Sequence, residues 1–463
     1  MIRLLAAAAL AAAAVTPASA QTIAIVGGTV ALGDGSEPIV GGTVVLRNGR
    51  IVSAGAGRRV PAGARIIDAA GKWVAPGMIA GFSRLGLAEV DLGADGADDT
   101  EANGSPFNAA IDIAPSINPK ASTIAVGRAD GVTRAIVAPS AGRSIFAGQG
   151  AVIDLGDDLD AVMRPRAFQF VELGEGGAGK AGGSRASAFT LFRNALREAR
   201  DLAGMRPIAG SAGRALPRQG DDIPYVSRED VRLTGLDARR SDDVLLTRFD
   251  AAALVPVLRG QQLLLVHVER AVDIRNVLRL RSEFPALRLA LVGATEAWMV
   301  APEIARSGTW VIASALNDLP ASFEQLAATQ SNVGRLRTAG VKVAIGMIGE
   351  DDTRRQRNQR QNAGNLVAVS RIPGASGVSW GDAFAMVTSR PAQVMGLDDQ
   401  IGSLKAGARA DVVIWSGDPL ENASRPEAVW IDGVAQPLDS HQTKLRDRYR
   451  DLTRRDLPEA YRR

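Results

Sequence analysis

The chain of 463 residues has no cysteine, so no disulfide supports it, and no thiolate can act as nucleophile or metal ligand. Histidine is almost as scarce, with only His267 and His441. Any chemistry that needs several imidazoles is excluded by that count alone. Aromatic residues make up 4%, too few for the stacked platforms of single-strand nucleic-acid binders. A surplus of charge is missing too. The pI of about 9.7 accompanies a net charge of only +4, with 54 basic and 50 acidic residues interleaved along most of the chain, which argues against a nucleic-acid partner. The longest apolar run, Leu4 to Val15, is too short to span a hydrocarbon core that takes about 20 residues, and no lipid-accepting cysteine follows it, so no membrane anchor is expected.

That run follows the basic start Met1-Ile2-Arg3 and precedes Ala18-Ser19-Ala20. A charged start, a short apolar stretch and a small-residue end are what a secretory signal peptide needs. Residues 1–20 are therefore expected to be removed on export, which places the mature protein in the periplasm. The remainder, with 46% apolar residues, Gly 50 and Pro 22, is long enough for one large domain and a small accessory one.

Residues 22–75 read as short strands: Thr22 to Val26, Thr29 to Leu32, Thr43 to Leu46, Ile51 to Ala54 and Arg65 to Asp68. Asn48-Gly49 between two apolar runs signals a hairpin, because both turn positions tolerate positive φ. From about residue 76 apolar runs alternate with helical stretches, which predicts βα units around a parallel sheet. Gln262 to Val268 leads into Ala271, Ile274 and Leu278 on one helix face; Leu289 to Val292 leads into Glu296 to Arg306, Trp310 to Ala313 into Phe323 to Leu336, and Val341 to Ile345 into Gly364 to Val369. Four such pairs in succession favour a (β/α)8 barrel of the TIM type over an open sheet. Residues 91–120 and the Gly-rich 172–186 suit long loops over its active face. Strands return at Ala410 to Trp415 and Ala428 to Ile431, and Leu445 to Arg463 reads as a solvated, charged tail helix. The expected division is 21–75 and 399–437 as two halves of a β-sandwich domain, 76–398 as the barrel, and 438–463 as the tail.

Gly71 to Ile79, Ile401-Gly-Ser-Leu404, Gly407, Ala410 to Trp415, Ala297-Trp298 and Arg390-Pro391-Ala392 stand in the order in which they occur in the amidohydrolase superfamily. The chain resembles that family, and in particular its imidazolonepropionase-like and dipeptidase-like branches, over nearly its whole mature length. The resemblance implies a hydrolase of carbon–nitrogen bonds that holds one or two divalent metals at the strand ends through histidines and an aspartate. This chain departs from that pattern. The His-x-His pair of the first barrel strand aligns with Phe82 and Arg84, the aspartate before it with Ala80, the strand-six histidine with Gly293, and the strand-eight Gly-Thr-Asp with Gly346-Met347-Ile348. Phenylalanine has no lone pair, and arginine stays protonated. Only the strand-five histidine survives, as His267.

No metal or other cofactor is therefore expected, unless carboxylates among Glu89, Asp91, Glu172, Glu175, Glu350 and Asp351 have rebuilt a site for a hard cation. His267 is the candidate catalytic base. Arg84, Glu89 and Lys180 are the candidate substrate-binding residues, with Lys180 also matching a strand-four lysine that some relatives carboxylate. Gly174 to Lys180 approximates a phosphate-binding loop, but Ala181 lacks the hydroxyl that motif needs. Two readings follow. One is a hydrolase by descent with a degenerate metal site, inactive as a metal-dependent enzyme. The other is a metal-free barrel that binds a small molecule, forms a homo-oligomer, or pairs with an active amidohydrolase as a stabilising subunit.

Overall fold

The computed structural model describes residues 22–89, 98–204, 245–349 and 355–450. The expected signal peptide, Asp91, Glu350, Asp351 and the end of the tail lie outside these ranges.

The first five strands are β1 (Ile23–Val30), β2 (Ile39–Arg47), β3 (Arg50–Gly55), β4 (Arg65–Asp68) and β5 (Trp73–Pro76). Asn48 and Gly49 turn β2 into β3 with φ of 53° and 71°, the paired left-handed geometry that suits a two-residue hairpin. The two short strands expected at Thr22 and Thr29 are one strand. Its register against β2 slips at Val26 and Gly28, where Gly27 takes φ 79°, so the glycines make a bulge instead of a break.

Eight strands then form the barrel: β6 (Met78–Ser83), β7 (Val132–Val137), β8 (Phe146–Asp154), β9 (Val162–Glu172), β10 (Leu263–Val268), β11 (Leu289–Gly293), β12 (Trp310–Ala313) and β13 (Lys342–Ile345). They hydrogen-bond in sequence order, and β9 through β13 run parallel, as the strand and helix alternation requires. One strand is reversed. β8 is antiparallel to both β7 and β9, and the connections 138–145 and 155–161 are too short for a crossover helix, which takes about a dozen residues or more.

At the seam β6 lies against β13: a Cβ on Gly81 would stand 2.0 Å from the Ile345 carbonyl oxygen. The backbone of β6 there is satisfied by a side chain. Buried Gln359 accepts from the Gly81 N–H at 3.1 Å and donates to the Ile79 carbonyl at 2.8 Å, so the edge carries no orphaned polar group.

Alternation along the strands sorts two cores. Ile79, Phe82, Phe168, Phe170, Leu265, Val292 and Ile312 fill the interior, whereas Leu264, Val266, Val268, Leu291 and Val311 pack in a separate cluster with apolar residues of the outer helices, Phe192 and Ile274 among them. The last strands, β14 (Val412–Trp415), β15 (Pro426–Ile431) and β16 (Val434–Ala435), join the first sheet through β14 against β5. Both chain ends therefore share one sheet in the order β16-β15-β14-β5-β1-β2-β3, with β4 beside β1.

Three helical expectations change. The Gly-rich stretch expected as a loop contains a helix, Glu175–Lys180, followed by a longer one, Arg185–Gly204. The helix expected over Phe323 to Leu336 is confined to Asn332–Thr338, with turns before it. The tail helix covers His441–Tyr449, starting earlier than its charge pattern suggested because Ser440 and Thr443 form a reciprocal cap. Among the described residues no helix is long and apolar enough to cross a membrane.

Candidate functional site

The inward parity of Leu263 and Leu265 on β10 is inherited by His267 and then by Glu269, because side chains two residues apart share a face. His267 thus projects into the barrel at the C-terminal end of the strand, beside Glu172 at the end of neighbouring β9, its Cα partner in the ladder. Both oxygens of Glu172 stand 2.8 Å from His267 Nδ1, and Glu269 Oε1 stands 3.0 Å from Nε2. Each carboxylate is held in turn. The Gly174 N–H donates to Glu172 at 2.8 Å, and the Thr295 N–H donates to Glu269 at 2.7 Å.

Burial alone would drive the ring neutral. The adjoining charges and hydrogen bonds of Glu172 and Glu269 override it and hold the His267 pKa well above its ordinary value. Burial would likewise raise Glu269, but the imidazolium and Thr295 pull it below the usual carboxylate range. A third carboxylate, Glu324, lies in the turns after β12 and accepts from the Glu175 N–H at 2.7 Å and from Arg185 at 3.4 Å. Its pKa is raised, first by burial and further by Glu269 and Glu172, against the pull of His267.

This arrangement does not fit a family-type metal. Both ring nitrogens of His267 are engaged by carboxylates at 2.8 and 3.0 Å, so neither faces an open coordination position, and metal binding requires a free lone pair. The strand-six position is closed as well. Gly293 takes φ 83°, and a Cβ there would lie 2.3 Å from Glu269 Oε1 and 3.0 Å from His267 Nε2, so Glu269 occupies the room a histidine would need. At strand one, Phe82 is 1% exposed and packs against Phe170 with ring centroids 5.3 Å apart. Ile348 packs on the same apolar cluster. Among the described residues no three His, Cys, Asp or Glu side chains form a ligand set.

Of the residues singled out from sequence, the structure brings Glu172 to His267. Lys180 instead donates to the Gly142 carbonyl at 2.7 Å, and Glu89 accepts from Asn118. Glu175 pairs with Arg185, and Arg84 lies in the turn that follows β6. Two members of the cluster were missed. Glu269 was legible from its parity with His267, whereas Glu324 lies in turns where a helix was expected, so the expected spacing did not bring it to the site.

The amidohydrolase family model matches residues 288–435. An amidohydrolase, tasK, from Hapsidospora irregularis is 27% identical over 397 residues, covering 81% of this chain and 38% of that protein. A 5-methylthioadenosine/S-adenosylhomocysteine deaminase from Desulforudis audaxviator is 35% identical over 105 residues, covering 21% of this chain and 23% of its own length. The chain thus spans well under half of both curated relatives. An amidohydrolase structure from Thermotoga maritima superposes with a TM-score of 0.72 at 23% identity, covering 89% of this chain and 99% of that one, and shows the shared fold.

Proposed function

From a divergent chain with the amidohydrolase fold, matched by the family model over residues 288–435, we propose a protein that has given up metal-dependent hydrolysis of carbon–nitrogen bonds and acts as a metal-free partner subunit. The observation that carries this reading is the double clasp of His267 between Glu172 and Glu269. A general base needs a free nitrogen within reach of a substrate proton, and both ring nitrogens are already engaged. His267 then serves as a fixed internal cation where relatives would bind one from solution.

The partner role draws on the turns after β12, at the same end of the barrel. Leu319, Phe323 and Leu326 are 80%, 83% and 65% exposed there, and clustered apolar exposure on one segment is a feature of protein contact surfaces.

Elemental analysis of the purified protein and of a Gly293→His variant tests the first half, with amide hydrolysis measured before and after added zinc or manganese. Sub-stoichiometric metal in both, and no gain in rate, are expected. Near one metal per chain, lost with activity in His267→Ala, would sink the reading. Sedimentation of the chain alone and mixed with a metal-loaded amidohydrolase from the same source tests the second half; a monomer that joins neither itself nor the partner overturns it.

A further inference from the structure

On the outer wall, joined to the cluster at the barrel mouth only through the contact of Arg185 with Glu324 at 3.4 Å, a cleft of about 510 Å³ separates the helix Arg185–Gly204 from the helix Ala271–Arg279. Two stripes face each other across it. Arg185, Phe189 and Arg193 follow at intervals of four residues on one helix, and Val272, Asn276 and Arg279 at intervals of four and three on the other. Each stripe therefore carries an apolar or amide centre and a cationic end.

The charges within the cleft do not cancel. Asp273 binds Arg270 through two contacts at 2.7 and 3.1 Å and stands 3.6 Å from Arg185. At the opposite end Glu283 is shared between Arg193 and Arg197, while Arg279 is exposed and has no carboxylate partner among the described residues. Glu283 thus carries two guanidinium groups, and the charge of Arg279 in the same cleft is left unmatched. At the Asp273 end the Arg185 Nε–H is buried and lacks a hydrogen-bond acceptor. An unneutralised charge at one end, an unused donor at the other and hydrocarbon between them define a complementary ligand. Guanidinium forks favour carboxylate and phosphate, and the volume lies within the range of about 300–1,000 Å³ common for small-molecule sites.

We infer that this cleft is a binding site for a small organic anion, with a carboxylate or phosphate at Arg193 and Arg279 and an apolar body over Phe189 and Val272. The anion end of the cleft, at Arg193 and Arg279, shares no residue with the His267 cluster.

Calorimetric titration of the full chain with phenyl phosphate, benzoate and inorganic phosphate tests it, and the first two probes tell phosphate from carboxylate chemistry. Saturable binding of phenyl phosphate or benzoate, tighter than that of inorganic phosphate, is expected. Arg279→Ala should weaken it by ~10-fold, the loss of one charge-assisted contact. Phe189→Ala should abolish the preference over inorganic phosphate, with thermal unfolding run to confirm that each variant is folded. His267→Ala should leave the affinity unchanged. No saturable binding of any probe at millimolar concentration, or binding that persists unchanged in Arg279→Ala, would overturn the inference.

Discussion

The two ends of the barrel each hold one cation among three carboxylates, and they do so by opposite means. At the N-terminal end Arg134 on β7 is 0% exposed. Its Nε and Nη2 reach the two oxygens of Asp411 at 2.7 and 2.8 Å, Nη2 reaches Asp432 at 2.9 Å, and Nη1 stands 3.4 Å from Asp154. Asp411 immediately precedes β14 and Asp432 immediately follows β15, so this cluster ties the barrel to the sheet that both chain ends build. At the C-terminal end the cation is His267, whose side chain is 18% exposed, with Glu172, Glu269 and Glu324 around it. A guanidinium is charged at every accessible pH, whereas an imidazolium persists here because carboxylates stabilise it. The lower cluster is a permanent structural tie. The upper one is conditional, and it stands at the C-terminal ends of the strands, the face where (β/α)8 barrels place their active sites.

The largest effect belongs to the permanent tie. Arg134→Met leaves Asp411 buried without its counter-charge, while the more exposed Asp432 keeps Arg409 at 3.0 Å; removing one partner from a buried pair costs about 3–5 kcal/mol. Arg134→Lys keeps the charge but loses the two-pronged contact with Asp411, so it should fall between the variant and the parent. Urea unfolding of the three proteins measures this. Equal stability of Arg134→Met and the parent would show that the lower cluster carries no more than a surface pair.

How much of this was legible beforehand follows from the kind of signal each element gives. Strands such as Trp310–Ala313 were readable because buried parallel strands are continuous apolar runs between turns. The reversal of β8 was not. Strand direction is set by connection length and pairing, and both flanking connections look like ordinary loops in sequence. The helix Glu175–Lys180 contains three glycines, which local propensity disfavours, and it forms where Gly177 packs so tightly on Glu172 that a Cβ would lie 2.1 Å from its carbonyl oxygen. The scarcity of imidazole was fully legible from the histidine count. Glu269 follows from parity with His267, but its closure with Glu172 around the ring was not legible, because it depends on two strand ends meeting and on Gly293 leaving room.

The conditional cluster should show itself through pH. His267→Gln removes the charge but keeps a similar size, leaving buried carboxylates short of a donor at a cost of about 1–3 kcal/mol. The folded pKa of His267 is raised above 6.5, so its contribution is complete below that value and is lost as pH rises through the higher folded value. Glu269 works on the other side: its folded pKa is depressed below 4.5, so its contribution holds above 4.5 and is lost as pH falls through the lower value. The gap between parent and variant should therefore be widest between 4.5 and 6.5 and shrink on the alkaline side. Unfolding free energies measured across that range decide it. A gap that does not change with pH would mean that the ring is neutral in the folded protein.

The smallest effect separates the members of the lower cluster from one another. Asp154 is the weakest partner of Arg134, at 3.4 Å, and burial pushes its pKa up to about 6 although Arg134 pulls the other way. A carboxyl whose folded pKa lies above its ordinary value of 3.8 favours the folded state most when protonated. Stability should therefore decline as pH rises from 3.8 through about 6, and above that range the ionised group works against the fold. Asp154→Asn removes this decline. The amide oxygen can still accept the Gly156 N–H that Asp154 binds at 2.8 Å, so the turn is preserved. The expected outcome is a variant more stable than the parent by about 1 kcal/mol at neutral pH and no more stable below pH 4, the modest size reflecting the attraction to Arg134 that is given up. Asp411→Asn, which breaks the two-pronged contact, should instead lose stability at neutral pH. If both substitutions destabilise equally, the three carboxylates share Arg134 evenly and the lower cluster is a single unit, not a strong pair with a strained third member.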